Sequence, residues 1–373
     1  MKLVVIFGTR PEIIKLSALV KLAAEAPGVD LEIIHTGQHY SYSLSERFLE
    51  DLDLPHIQVD IAVGSMERLD QVRKMVHGLT PELERARPDF VVVQGDTNST
   101  LAGAVTARNL GAGVAHVEAG LRCFDPLMTE EVNRVAVDRI SDVLFAPTPV
   151  SVQNMLAEGH DRARIHMVGN TVVEVVTLGL EHAAAHSSIV DDMGLEPEAY
   201  ILVTAHRQEN VDDEPRLRDL VTALQRIELP MVYPVHPRTC ERMVEFELLH
   251  VLEAIPNLTL TDPLSYFDFL ELARQSRMLI SDSGGIQEEC TIFKRPVVVV
   301  RDCTERPEIM GVYGDVVGSN PHAIVAAVQR IDRDYADIIA VLHRTPTPYG
   351  DGKASERILE TLQAMSSPPP RGG

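Results

Sequence analysis

MLISDSGGIQEE, residues 278–289, passes from three apolar residues through Ser281-Asp282-Ser283-Gly284-Gly285 into Ile286-Gln287-Glu288-Glu289. Consecutive apolar positions fit a strand buried on both faces. Two glycines directly after it mark a place where backbone approaches something closely, and a helix opens there. Free N–H groups at such a helix start suit a pyrophosphate. Glu289, about one turn into the helix, is placed to take ribose hydroxyls.

The fold follows because this unit recurs. In the first half Leu3 to Phe7, Leu31 to Ile34, Phe90 to Val93, Val114 to Val117 and Val143 to Phe145 read as buried strands. Between them lie helical stretches such as Glu12 to Ala26, with Ile13, Leu16, Val20 and Ala23 on one face, and Thr97 to Leu110. A second series follows Val168: Tyr200 to Thr204, Met231 to Tyr233, Leu258 to Leu260, Met278 to Ser281 and Val297 to Arg301. Alternating strand and helix order implies parallel sheets covered on both sides. The expected architecture is therefore α/β, two Rossmann-like doubly wound domains facing across a cleft. The first spans residues 1–168 and is joined by a C-terminal helix at 353–366. The second spans 169–352, with Gly169 to about Leu195 as a helical crossing, and 367–373 form a flexible Pro/Gly tail.

Composition narrows the function. The 373 residues carry a net charge of −21, which repels nucleic acid and anionic membranes. No apolar run approaches the ~20 residues of a membrane helix. Cys123, Cys240, Cys290 and Cys303 show no CxxC spacing, as in a reduced cytoplasmic protein without a disulfide framework or structural zinc.

Ligands of doubly wound sheets bind beyond the carboxyl ends of the strands. The first strand ends in Gly8-Thr9-Arg10-Pro11-Glu12, with Lys15 a turn later. There is no GxGxxG and no Walker lysine loop, so no NAD is expected. Arg10 and Lys15 near a helix start fit an anion site; Arg10 pairing with Glu12 is the bland alternative. The third strand ends in QGDTNST with Asp96, and the fourth in HVEAGLR with Glu118. The next helix opens with Thr129-Glu130-Glu131-Val132-Asn133-Arg134. Asp96 is placed either to cap a helix or, with Glu118 and Glu130 or Glu131, for general acid/base chemistry. In the second half His206 and His236 follow equivalent strands, each beside an arginine, and Arg306 lies beyond the last. Phe269 is either core or a face for a base to stack on. Metal-ligand spacing such as HExxH is missing, so no obligatory metal is expected.

The segments GTRPEIIKLSALV, TGQHY, QGDTNSTLAGA, HVEAGLR, EEVNR, GNTVVE, LVTAHRQENV, PVHPRT, SDSGGIQEEC and RDCTERPE run in order across residues 8–308. Together they resemble the non-hydrolysing UDP-N-acetylglucosamine 2-epimerases. That resemblance implies a GT-B fold and a cytoplasmic homodimer, without NAD or metal, that interconverts UDP-GlcNAc and UDP-ManNAc. It implies Asp96, Glu118, Glu130 and His206 as catalytic groups. It also implies Arg10, Lys15, His236, Phe269, Ser283, Gly284, Gly285, Glu289 and Arg306 as substrate contacts. Glu130 is preferred to Glu131 as the first acid of the family's Pro-Glu-Glu-x-Asn-Arg motif, in which Thr129 replaces the proline. Tyr40-Ser41-Tyr42-Ser43 after the TGQH segment departs from the family's allosteric pattern and speaks against activation by substrate. The short LRCFDPLMTEE segment resembles a branch that includes epimerases of UDP-2,3-diacetamido-uronic acids, which makes that sugar class the alternative substrate. A GT-B glycosyltransferase is a more remote alternative, because it leaves the first-domain carboxylates unexplained.

Overall fold

The computed structural model describes residues 1–38 and 54–366. Two compact units divide it, residues 1–175 with 349 onward, and residues 176–348. Both are built on one wholly parallel sheet.

In the first unit the strands are β1 (Lys2–Phe7), β2 (Asp30–His35), β3 (Val59–Asp60), β4 (Phe90–Gln94), β5 (Gly113–Val117), β6 (Val143–Ala146) and β7 (Ile165–Met167). Their spatial order is β3-β2-β1-β4-β5-β6-β7. The chain therefore reverses its direction of winding between β1 and β4, and loops at that crevice are free to face a ligand. Strand β1 is apolar on both faces because helices cover both; Leu3, Val4, Val5, Ile6 and Phe7 are all buried. Its register pairs Val4 with Glu32 on one side and with Val91 on the other. The helix Arg10–Glu25 starts where Thr9 and Glu12 form a capping box with Pro11 in the first turn. It buries Ile13, Leu16, Val20 and Ala23, and helix Ala354–Ser366 packs against it.

The second unit repeats the plan with β8 (Ile201–Thr204), β9 (Met231–Pro234), β10 (Leu258–Thr261), β11 (Met278–Ser281), β12 (Val297–Val299) and β13 (Gly314–Val316). The order is β10-β9-β8-β11-β12-β13, which places the switch between β8 and β11. Its core joins Ile201, Val203, Met231, Tyr233, Met278, Ile280 and Val298 to Leu217, Leu220, Leu224, Ile324 and Val328 from the helices.

Strands β3, β7 and β13 were not expected from the sequence. Each has only two or three residues and lies at a sheet edge, and β13 contains Gly and Asp, which are depleted in strands. The unit boundaries fall at 175/176 and 348/349, where the sequence reading put them at 168/169 and 352/353. Residues 169–175 stay with the first unit because the Asn170 backbone N–H donates to Tyr349 O and its side chain reaches Glu118. The expected tail at 367–373 lies outside the described residues. Among the described residues no helix is long and apolar enough to cross a membrane.

Leu220→Ala, which empties a fully buried position of the second core, is expected to lower unfolding free energy by ~2–5 kcal/mol. Urea denaturation followed by circular dichroism measures it.

Candidate active site

Strand ends of the first unit gather the carboxylates. Glu118 follows β5 directly, at a φ of +70°, a conformation that costs a non-glycine residue roughly 1 kcal/mol or more. Its carboxylate is buried, and Oε2 accepts from Lys15 Nζ at 2.5 Å, Gln94 Nε2 at 3.0 Å and Asn170 Nδ2 at 3.3 Å. Lys15 therefore meets Glu118 itself and acts as its counter-charge. A buried carboxylate left unpaired would be severely penalised.

Asp96 lies two residues beyond β4, the strand that pairs with β5. The helix Asn98–Asn109 is capped by Thr97, whose hydroxyl accepts from Thr100 N, so the capping alternative for Asp96 does not hold. Asp96 instead places Oδ2 3.1 Å from Nε of Arg134, a wholly buried guanidinium. Arg134 also holds Glu131 at 3.1 Å, and Glu131 accepts the backbone N–H groups of Cys123 and Phe124, both at 3.1 Å. The two acids of the EEVNR segment thus differ in kind. Glu131 is buried and organises the loop after Glu118. Glu130 is half-buried, and its carboxylate has no hydrogen bond or ion pair among the described residues.

Arg10 is exposed at the first position of its helix. Glu12 turns inward instead of towards solvent. One oxygen accepts from Gly8 N at 3.0 Å and from Thr9 N and Oγ1 at 2.8 Å; the other accepts from Thr97 Oγ1 at 2.8 Å and Thr100 Oγ1 at 3.2 Å. It ties the loop carrying Arg10 to the loop carrying Asp96. Burial pushes its pKa up to about 6, against the lowering effect of these donors.

In the second unit His206 lies just past β8 and His236 just past β9, their rings 5.7 Å apart. His236 caps the helix Pro237–Glu245 by accepting the Arg238 N–H on Nδ1, which leaves the ring proton on Nε2. The loop bearing His206 is fixed by Asp282, a fully buried residue at the end of β11. Asp282 accepts from His206 N at 3.1 Å, Arg207 N at 3.0 Å and Asn210 Nδ2 at 3.1 Å. Ser283 caps the helix Gly284–Phe293 without a side-chain bond to it. At Gly284 the backbone approaches a side chain closely: a Cβ there would stand 2.5 Å from Nη1 of Arg306, and the guanidinium would have to shift. Arg306 is buried between Glu305 and Glu288, with Nε 2.7 Å from Glu288 Oε1. Glu289 and Phe269 are half-buried on their helices, and Gly285 leaves ordinary van der Waals room beside Ser283 and Glu289.

The sequence profile of UDP-N-acetylglucosamine 2-epimerases matches residues 21–363. The chain belongs to this family. It is 40% identical to the UDP-N-acetylglucosamine 2-epimerase of Methanocaldococcus jannaschii, over 97% of this chain and 99% of the relative. It is 35% identical to the UDP-2,3-diacetamido-2,3-dideoxy-D-glucuronate 2-epimerase of Pseudomonas aeruginosa, over 98% and 100%. The crystal structure of the M. jannaschii enzyme in complex with UDP-GlcNAc and UDP superposes with a TM-score of 0.89, covering 98% of this chain and 100% of that one. The two parallel α/β units are those of the GT-B fold.

The first unit brings Lys15 onto Glu118 and sets Asp96 at the neighbouring strand end. The second brings His206 beside His236, and Arg306 against Gly284. Residues that sequence reasoning passed over are the partners: Gln94, Arg134, Asn170, Asp282, Glu288 and Glu305. All six lie within the quoted motifs. His39 and Tyr40 to Ser43 lie outside the described residues. Gln38 is buried, with Oε1 accepting from Ser99 N at 3.1 Å and Ser99 Oγ at 2.9 Å.

Glu12 takes up a proton more readily folded than unfolded, so its contribution to stability rises as pH falls through about 6 towards 4.5. Relative to Glu12→Gln, which does not titrate, the parent is expected to gain about 1.5 kcal/mol of unfolding free energy between about pH 7.5 and pH 4.5. Paired urea titrations across that range measure it.

Proposed function

We propose that this chain catalyses the reversible C2 epimerisation of UDP-GlcNAc to UDP-ManNAc without hydrolysis, NAD or metal. The observation that carries the reading is the pair of strand-end carboxylates, Glu118 on Lys15 and Asp96 on Arg134, at neighbouring strands of the first unit. The C2 hydrogen is not adjacent to a carbonyl, so a carboxylate cannot readily remove it from the resting sugar. Breaking the C1–O bond gives C1 cationic character and acidifies that C–H. The C2 proton passes to a carboxylate, the C–H electrons form the C1–C2 double bond, and the C1–O electrons leave with UDP. The product is 2-acetamidoglucal, and readdition of UDP at C1 with a proton on the other face of C2 completes epimerisation.

In this reading Asp96, Glu118 and Glu130 remove and return the proton. Arg10, His206, His236, Arg306 and the Ser283-Gly284-Gly285 helix start stabilise the leaving pyrophosphate. Lys15 supports binding through the charge it shares with Glu118. Glu289 takes the ribose hydroxyls and Phe269 the uracil face. The same reading makes the protein a cytoplasmic homodimer. Leu69, Val132 and Val135 are exposed apolar residues of the helices Arg68–Ala86 and Thr129–Ile140, which an Arg68–Asn133 hydrogen bond of 2.6 Å ties together. Light scattering is expected to give twice the mass of the chain, and a monomer at micromolar concentration would remove that part of the reading.

A proton NMR time course with UDP-GlcNAc in D2O tests the reaction. UDP-ManNAc is expected, with deuterium at C2 of the recovered nucleotide sugars. Free ManNAc with UDP would contradict the non-hydrolysing assignment. Absence of exchange, with turnover of the UDP-2,3-diacetamido-uronic acid, would shift the substrate to that of the P. aeruginosa relative. Asp96→Asn and Glu118→Gln are each expected to reduce turnover by roughly 10²–10⁴-fold, while UDP affinity stays within a few-fold.

A further inference from the structure

His116 is the penultimate residue of β5, wholly buried, with both ring nitrogens engaged. Nε2 lies 2.8 Å from the carbonyl oxygen of Gly95, the residue before Asp96. A carbonyl only accepts, so Nε2 carries a proton and donates it. Nδ1 lies 2.7 Å from Oδ1 of Asp138, also wholly buried, on the helix Thr129–Ile140. The other Asp138 oxygen accepts from Gly120 N at 3.1 Å and from Arg122 Nη2 at 2.6 Å. Arg122 donates onward to Glu158, from Nε at 2.7 Å, and to its own neighbour's carbonyl, Leu121 O, at 2.7 Å. Gly120 has a φ of +84°, and a Cβ there would stand 2.4 Å from Ser151 O, so the turn has little freedom to adjust.

One side-chain cluster therefore grips the backbone one residue before Asp96 and two residues after Glu118. None of its members, His116, Asp138, Arg122 or Glu158, is needed as a proton-transfer group in the mechanism above. The β4–β5 ladder alone does not fix these turns. Its last link is Gly95 N to Val117 O at 3.0 Å, and Asp96 lies beyond it. We propose that His116 is a positioning residue, which sets the placement of the Asp96 carboxylate relative to Glu118 by holding the Gly95 carbonyl through Nε2. The inference rests on the reading of Asp96 and Glu118 as the groups that handle the C2 proton.

The two amide substitutions separate the two bonds. Glutamine reaches the Nε2 position and can still donate to Gly95 O. Asparagine reaches only the Nδ1 position, so it keeps a donor towards Asp138 and releases Gly95. Asp138 stays held by Arg122 in both. His116→Asn is expected to lower kcat about 100-fold, the scale of a 1 Å misplacement, with KM for UDP-GlcNAc and UDP affinity by calorimetry within about threefold of the parent. His116→Gln is expected to restore kcat to within about fivefold of the parent. The proposal is overturned if the two variants lose kcat equally, or if neither loses more than about threefold. It is equally overturned if the loss in His116→Asn follows a matching loss of UDP binding or of folded protein, which marks a merely structural role. Asp96→Asn, run alongside, keeps the underlying reading separate: if it remains active, Asp96 has been misassigned, whatever His116 does.

Discussion

The ion pair of Lys15 with Glu118 joins the first helix to the end of β5, and the arrangement of the first unit's strand ends turns on it. Glu118 is buried and held in a left-handed conformation, two conditions that each raise its free energy. Lys15, Gln94 and Asn170 offset them together. Asn170 in turn binds the chain to Tyr349 through its backbone, which brings the segment leading to the C-terminal helix into the same unit. Removing one partner of such a pair leaves a buried charge exposed to low dielectric, a loss of ~3–5 kcal/mol. The carboxylate is therefore fixed in place as part of the fold, before any ligand arrives.

The same rule shapes the second unit. There a buried acid, Asp282, accepts backbone N–H groups and so aims the loop of His206 outward. Buried Glu288 and Glu305 bracket Arg306 beneath the glycine turn. Carboxylates are presented by one unit, and a helix start with histidine and arginine by the other. In a chain of net charge −21, His206, His236 and Arg306 are the donors that the second unit gathers at its strand ends.

Much of this was legible in the residues. Buried parallel strands announce themselves as unbroken apolar runs, so Leu3–Phe7 and Met278–Ser281 could be placed to within a residue. Edge strands such as Gly314–Val316 could not, because they bury little and owe their conformation to the neighbour they pair with. The strand-end position of Asp96 and Glu118 was visible in the same way. Their partners were not: that Lys15 meets Glu118 across 103 residues, or that Arg134 serves Asp96, depends on tertiary approach that spacing does not encode. The choice of Glu130 over Glu131 rests on a motif, whereas the structure supplies the physical difference between a half-buried carboxylate without a partner among the described residues and one bound to Cys123 and Phe124 N–H groups.

Buried ion pairs are poor devices for stability, since well-packed apolar residues of similar volume often do as well or better. Their concentration beyond the carboxyl ends of β4, β5 and β12, as Asp96–Arg134, Glu118–Lys15 and Arg306–Glu288, therefore calls for another explanation than folding energy. Apolar packing holds a side chain by shape and tolerates small slides, whereas a carboxylate bound by several donors has one orientation. In the proposed reaction, which takes a proton from one face of a carbon and returns it to the other, the groups need fixed separation and direction, because misplacement by an ångström forfeits most of the rate. The apolar cores beneath the two sheets supply the stability. The charged layer at the strand ends supplies the geometry, and the two tasks are divided along the length of each strand.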